Sequence, residues 1–307
     1  MKSISANPLS TVPPRSGIHA GRLLPVGALV TAALLWGGSF SAMRLAVQVI
    51  SPWSVMWLRM AVALVVILPF AGRLNFSAYR KGDWRLLLPM VIFQPCLYFL
   101  LESHALTFTT SSQAGVISAS VPLMVAVGAW LLAEPVGRGT LAGLLLSVAG
   151  VVVLSLSGNG DTTAANPLLG NALEVGAMAS AAVNILIVKR LCARYNPWLL
   201  TALQVFAGTL FFSPGLVMLI GQPAAIWTPF LIVSILFLGA LVTLGAFGLY
   251  NWAMSHVPAT HASVFINLVP VTAVAIGWLA LGETLTRVQC FAAAAVIVGV
   301  AFSQKRA

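Results

Sequence analysis

Residues 114–138 read AGVISASVPLMVAVGAWLLAEPVGR, and residues 262–287 read ASVFINLVPVTAVAIGWLALGETLTR. These are two copies of one pattern. Pro122 and Pro270 stand 148 positions apart, as do Trp130 and Trp278. One inserted residue later the spacing becomes 149, and it pairs Glu134 with Glu283 and Arg138 with Arg287. Each copy is an apolar helix with a proline inside, a tryptophan two turns on, a glutamate at its end and an arginine beyond. A helix on the surface of a soluble protein keeps one polar face, and neither copy has one. An apolar run of this length that recurs in the chain points to a duplicated membrane unit.

The rest of the chain agrees with that reading. It is 60% hydrophobic and only 7% charged, where a soluble domain has roughly 25% charged residues. Its mean hydropathy is +0.99. One soluble core in 307 residues could not bury so much apolar surface, so lipid is the expected solvent. The net charge of +10 does not indicate nucleic acid, because the charges fall singly or in twos between apolar runs. Cysteines at 96, 192 and 290 stand alone, and His256 and His261 lack metal-ligand spacing, so no disulfide, metal or cofactor site is implied.

Ten apolar runs follow in order, at about 25–49, 53–71, 85–106, 112–133, 139–157, 168–188, 197–220, 228–253, 259–281 and 286–303. Each approaches the roughly 20 residues that cross a bilayer core as a helix. Turn residues such as Ser51-Pro52, Arg80-Lys81-Gly82-Asp83 and Asn196-Pro197 separate them. The expected fold is an all-α polytopic membrane protein with ten transmembrane helices. Its parts are a flexible cytoplasmic tail at 1–24, a first five-helix repeat at 25–157, a second at 168–303, and a short cytoplasmic tail at 304–307. With the N-terminus inside, thirteen of the sixteen Lys and Arg residues fall on the inner side; Arg44, Arg59 and Arg287 are the others. The positive-inside rule therefore places both termini in the cytoplasm of a multi-pass protein of the cell (inner) membrane. Five helices per repeat is an odd number, so the second copy is expected inverted, with a substrate site near the midplane between the two.

Trp36-Gly37-Gly38-Ser39-Phe40 in the first run resembles the W-G-x-x-F opening of the EamA family, within the drug/metabolite transporter superfamily. Pro52 followed by Arg59, and the two P…W…E stretches ending at Glu134 and Glu283, are similar to the same family's pattern. The resemblance covers residues 25–303. It implies a two-fold bundle that moves small metabolites, commonly outward. Overall likeness is greatest to YddG-type exporters of aromatic and other amino acids, although no single motif encodes that choice.

Depth in the runs selects the candidate substrate-binding residues Trp36, Ser39, Gln94, Tyr98, Asn184, Tyr250, Asn251 and Asn267, with Ser118, Ser120, Ser180 and Thr243 nearby. An amide in hydrocarbon must find a partner, so these face the bundle interior or a wet cavity. The competing reading is that such groups tie helices together. Pro95, Pro122 and Pro270 are candidate helix kinks, serving either gating or ordinary membrane packing. Arg59, Glu102 and Glu174 are candidate gating or ion-pair residues toward the outer side. Arg44 and His104 read as interfacial residues, and Glu134 and Glu283 as caps for the helices that follow them.

A secondary transporter exporting aromatic and other neutral amino acids or related small metabolites, by alternating access, is the expected function. A multidrug or organic-cation exporter is the nearest alternative. An intramembrane enzyme fits less well: aspartate occurs only at 83 and 161, both between runs, and no catalytic constellation appears. The expected partners are a small-molecule substrate and the lipid bilayer.

Overall fold

A computed structural model describes residues 20–74, 77–131, 138–157, 164–257, 262 and 265–304. Most of the two tails, Glu134, Asp161 and His261 lie outside the described residues. Among the described residues, every regular element is a helix. In chain order these are α1 (Ala20–Val49), α2 (Pro52–Ile67), α3 (Trp84–Phe108), α4 in two pieces (Ser111–Ser118 and Val121–Leu131), α5 (Arg138–Leu156), α6 (Pro167–Leu191), α7 (Pro197–Phe211), α8 (Pro229–His256), α9 (Leu268–Leu281) and α10 (Arg287–Gln304). Six of them, α1, α2, α3, α4, α6 and α8, are long and apolar enough to cross a membrane, and α7, α9 and α10 include shorter apolar helices. The protein is polytopic.

Several starts are written locally. The Ser51 hydroxyl accepts from the Ser54 N–H at 3.2 Å, with Pro52 opening α2. Asn166 before Pro167, Asn196 before Pro197 and Thr228 before Pro229 do the same for α6, α7 and α8. Such side chains satisfy an N–H that has no intrahelical partner, and proline has no N–H to satisfy there.

Two boundaries differ from the sequence reading. The first helix begins at Ala20, so residues 20–24 are helical rather than tail, and Pro25 is inside the helix. Pro25 is the sixth residue of that helix, past the first turn, so it withholds one N–H from the Gly21 carbonyl. The run at 197–220 is helical only to Phe211, after which Ser213-Pro214 turns the chain into a short helix, Pro214–Val217. That turn packs tightly: a Cβ on Gly215 would meet the Trp53 carbonyl oxygen, so only glycine permits the contact.

Three helices are broken near their middles. Gln94 has an extended backbone (φ −146°, ψ 121°), which splits α3 just before Pro95. In α8 the turns widen over Phe237–Ala246, where Thr243 donates to the Leu238 carbonyl at 2.8 Å, five residues back. α4 breaks at Ala119 and Ser120, immediately before Val121-Pro122. Asn267 makes a similar turn just before α9 and Pro270. In α3, in α4 and before α9 the proline therefore lies on the C-terminal side of the break, while the widened stretch of α8 contains no proline.

The pairwise packing is regular. α5 lies along α10, α2 along α7, and α4 along α9. α1 packs on α8 and α9, while α6 packs on α3 and α4. Polar groups are gathered inside, and large apolar side chains such as Phe291, Leu279, Val65 and Phe206 point outward. That arrangement suits a hydrocarbon surround.

One end of the bundle is tied outside the helices. Asp83, just before α3, accepts from Arg194 Nη2 at 2.6 Å and from the Tyr195 hydroxyl at 2.5 Å. The Tyr195 and Arg194 bonds, together with the Arg80 N–H, lower the Asp83 carboxyl from its ordinary 3.8 to about 2, while burial and then the bond to Asp83 raise the Tyr195 hydroxyl to about 12. A depressed folded-state value means the tie is present above about 3.8 and is lost as pH falls toward about 2. Melting curves of purified protein should therefore show an acid step in this window that Asp83→Asn lacks. An identical acid profile in the variant would mean that this tie contributes nothing.

Candidate functional site

Inside the bundle, α1, α2, α3, α4, α6, α8 and α9 surround a cavity of about 690 Å³, open space at its mouth included. Seven of the eight residues selected from the sequence as substrate-binding line it: Trp36, Ser39, Gln94, Tyr98, Asn184, Tyr250 and Asn251. Arg59 and Glu102 line it as well. Asn267 does not line it, nor does Glu174. The lining residues missed in the sequence are apolar, among them Phe40, Met178, Ile185, Phe247 and Met254. Such residues carry no signal in a chain that is apolar throughout.

The polar residues divide into two groups. Some amides are spent on the protein itself. Asn184 Nδ2 donates to Gln94 Oε1 at 2.8 Å, and Gln204 Nε2 donates to Asn184 Oδ1 at 3.2 Å and to the Gln94 carbonyl at 3.0 Å. Ser180 donates to the Phe93 carbonyl at 2.7 Å. These bonds satisfy backbone that the break in α3 would leave bare in a low-dielectric interior. Asn251 Nδ2 likewise donates to Thr201 Oγ1 at 3.0 Å. The second group has no partner: Trp36 Nε1 and the Tyr250 hydroxyl are both buried and unpaired. Their rings lie 5.0 Å apart, and Phe247 sits 5.2 Å from Trp36, forming one aromatic wall.

The charged end of the cavity is built by three helices. The Arg59 side chain, 2% exposed, donates through Nε to the Thr243 hydroxyl at the widened turn of α8. Its guanidinium lies 4.2 Å from the centre of the Phe99 ring and 3.9 Å, through Nη1, from Glu102 Oε2. Tyr98 donates to the other Glu102 oxygen at 2.6 Å. The ion pair is therefore long, and each member is held mainly by something else. One turn out from the cavity-lining Met178 on α6, Glu174 is fully buried, and neither carboxylate oxygen has a hydrogen-bond partner.

Beyond Glu174 the bundle is closed by a second polar cluster. Glu283 accepts from the N–H groups of Ser111 and Ser112 at 2.9 Å each, and from their hydroxyls at 2.8 and 2.6 Å. Arg44 Nε stands 3.5 Å from Glu283, and Arg44 Nη1 donates to the carbonyls of Leu106 and Thr109. Thr109 donates to Asn171 Oδ1 at 2.7 Å, and Asn171 donates to Gln113 at 2.9 Å. Two sequence expectations are corrected here. Arg44 is 3% exposed and paired rather than interfacial. Glu283 caps the N-terminus of α4, not the helix that follows it. Gly277 makes room, since a Cβ there would come within 2.5 Å of Glu283 Oε2 and Ser112 Oγ.

Comparison with known proteins agrees with this architecture. The model of the EamA-like transporter family matches residues 23–156 and again residues 168–304. A Bacillus subtilis (strain 168) protein, uncharacterized transporter YetK, is 27% identical over 277 residues, 89% of this chain and 84% of that protein. A probable terminal-alkyne amino-acid exporter of Streptantibioticus cattleyicolor is 25% identical over 292 residues, covering 92% of this chain and 93% of its own. A solved crystal structure superposes with a TM-score of 0.61 at 19% identity, over 92% of this chain and 96% of that one, which shows a shared fold. With membrane-crossing helices around a central cavity and the family model matched along both halves, this chain belongs to the EamA-like transporter family.

Proposed function

We propose that this membrane transporter exports neutral amino acids, aromatic ones included, or closely related zwitterions, by alternating access. The observation that carries the substrate class is the loose Arg59–Glu102 pair at one end of an aromatic cavity. A zwitterionic head group supplies one anion for Arg59 and one cation for Glu102. The unpaired Trp36 N–H and Tyr250 hydroxyl offer further polar contacts beside a wall suited to an apolar side chain. The amino-acid exporter among the relatives supports the same class.

Two inverted repeats, ten spans in all, are the proposed scaffold. The packing supports this: exchanging α1–α5 for α6–α10 leaves the helix pairs named above unchanged. A finer match lies at the ends of α1 and α6. Arg44 and Lys189 are 145 positions apart, the spacing of Pro52 and Pro197, and Leu106 and Met254 are 148 apart. Arg44 donates to the Leu106 carbonyl at 3.2 Å, and Lys189 donates to the Met254 carbonyl at 3.3 Å. On the positive-inside reading the Glu283 cluster faces outward, and Asp83, Arg194 and both termini face the cytoplasm.

Counterflow in proteoliposomes tests the substrate class. Labelled L-phenylalanine, L-leucine and L-threonine should exchange against their unlabelled forms, and a planar cationic dye should not compete. Dye transport without amino-acid exchange would replace this reading with that of an organic-cation exporter, for which the aromatic wall is also suited.

A further inference from the structure

Among the described residues, Glu174 is the buried carboxylate that neither the cavity chemistry nor the Glu283 cluster uses. It is fully buried, and both its oxygens lack a partner. A carboxyl group in such a place is tolerated only with a proton or a counter-cation. Its place in the fold is specific. On α6 it lies between Asn171, which belongs to the outer polar cluster, and Met178, which lines the cavity. α6 packs along α3, which carries Glu102 and Tyr98. Of the other helices packed on α6, α4 contains no ionisable residue. α5 contains only Arg138, at its far end, and α8 contains Tyr250, on the cavity wall, and His256, at its last turn. Arg59 reaches Glu102 at 3.9 Å.

We propose that Glu174 and Glu102 together hold one exchangeable positive charge, either a proton or the substrate's ammonium group, so that transport exchanges substrate for a proton. This deepens the amino-acid reading and rests on it for the head group. In the empty carrier, Glu102 pairs with Arg59 and Glu174 keeps the proton. When the substrate arrives, its carboxylate takes Arg59 and its ammonium group settles between the two glutamates. Glu174 then gives up its proton to water in the cavity, with no bond formed other than the new ion pairs. When the Glu283 cluster opens and substrate leaves, Glu174 is the first carboxylate the outer solution meets inside that cluster and takes a proton back. A buried carboxyl group without a partner favours holding a proton or a counter-cation over standing ionised alone.

The test has one arm that needs no transport. Infrared spectra of the purified wild type in acidic and alkaline buffer should contain the carbonyl stretch of a protonated carboxyl group, and Glu174→Gln should lose it. Adding L-phenylalanine, or 2-phenylethylamine, which has an ammonium but no carboxylate, should abolish the band and release about one proton per ligand bound. A pH-sensitive dye reads that release, which Glu174→Gln should lack. If the band survives in Glu174→Gln, or if neither ligand releases a proton from the wild type, the proposal is wrong, and the wild-type measurement stands even if the variant misfolds. Proton release by phenylethylamine alone would instead keep the proton site and remove the amino-acid reading. Phenylalanine exchange without proton movement would do the reverse.

Discussion

Replacing Glu283 with Ala is expected to cost about 3–5 kcal/mol of stability, the usual result of removing one member of a buried ion pair. The side chain does several things at once. It is the anion beside Arg44, and it accepts the first two N–H groups of α4 together with two serine hydroxyls. The variant would bury the Arg44 guanidinium without its anion and leave the buried Ser111 and Ser112 N–H groups without this acceptor, with only the Gln113 N–H still capped, by Thr110. Glu283→Gln should cost less, because its amide oxygen can still accept from the Ser111 N–H. Combining Glu283→Gln with Arg44→Met should recover part of the loss, since the pair is then removed as a unit. Thermal unfolding in detergent, followed across the four proteins, measures this. Equal melting of wild type and Glu283→Ala would show that the cluster does not hold α1, α4 and the end of α9 together.

The second large effect is expected at Arg59. If its guanidinium receives the substrate's carboxylate, Arg59→Gln removes a charge-assisted hydrogen bond of about 1.5–3 kcal/mol, roughly 10- to 150-fold in affinity for L-phenylalanine. Binding of 2-phenylethylamine should change little, because it has no carboxylate to lose. The structural cost is limited by the other bonds at the site, since Tyr98 still donates to Glu102 at 2.6 Å. Adding Glu102→Gln should restore stability but not phenylalanine binding. Both ligands can be followed by ligand-induced thermal stabilisation alongside counterflow. Unchanged phenylalanine binding in Arg59→Gln would place the head group elsewhere in the cavity.

Local chemistry in the sequence determined much of this protein. The helix starts at Ser51-Pro52, Asn166-Pro167, Asn196-Pro197 and Thr228-Pro229 depend on a cap and a proline side by side, so they can be read without a partner helix. The apolar runs follow from the free energy of burying peptide in lipid, and the family from residues such as Trp36-Gly37-Gly38 and the repeated P…W…E stretches. Which buried polar groups are spent and which are free is a different matter. Gln94, Asn184 and Asn251 look alike as intramembrane amides beside Trp36 and Tyr250. Only the packing of α3, α6, α7 and α8 commits those amides to Gln204 and Thr201 and leaves the indole N–H and the phenol without partners. Arg44 and Glu283 are far apart in the chain, and nothing at either position names the other. Their pairing, and the capping of α4 by a glutamate that precedes α10, arise because α1 and α9 converge on one helix start. In a bilayer no surrounding water satisfies a buried polar group, so its role is decided by whichever helix tertiary packing brings beside it.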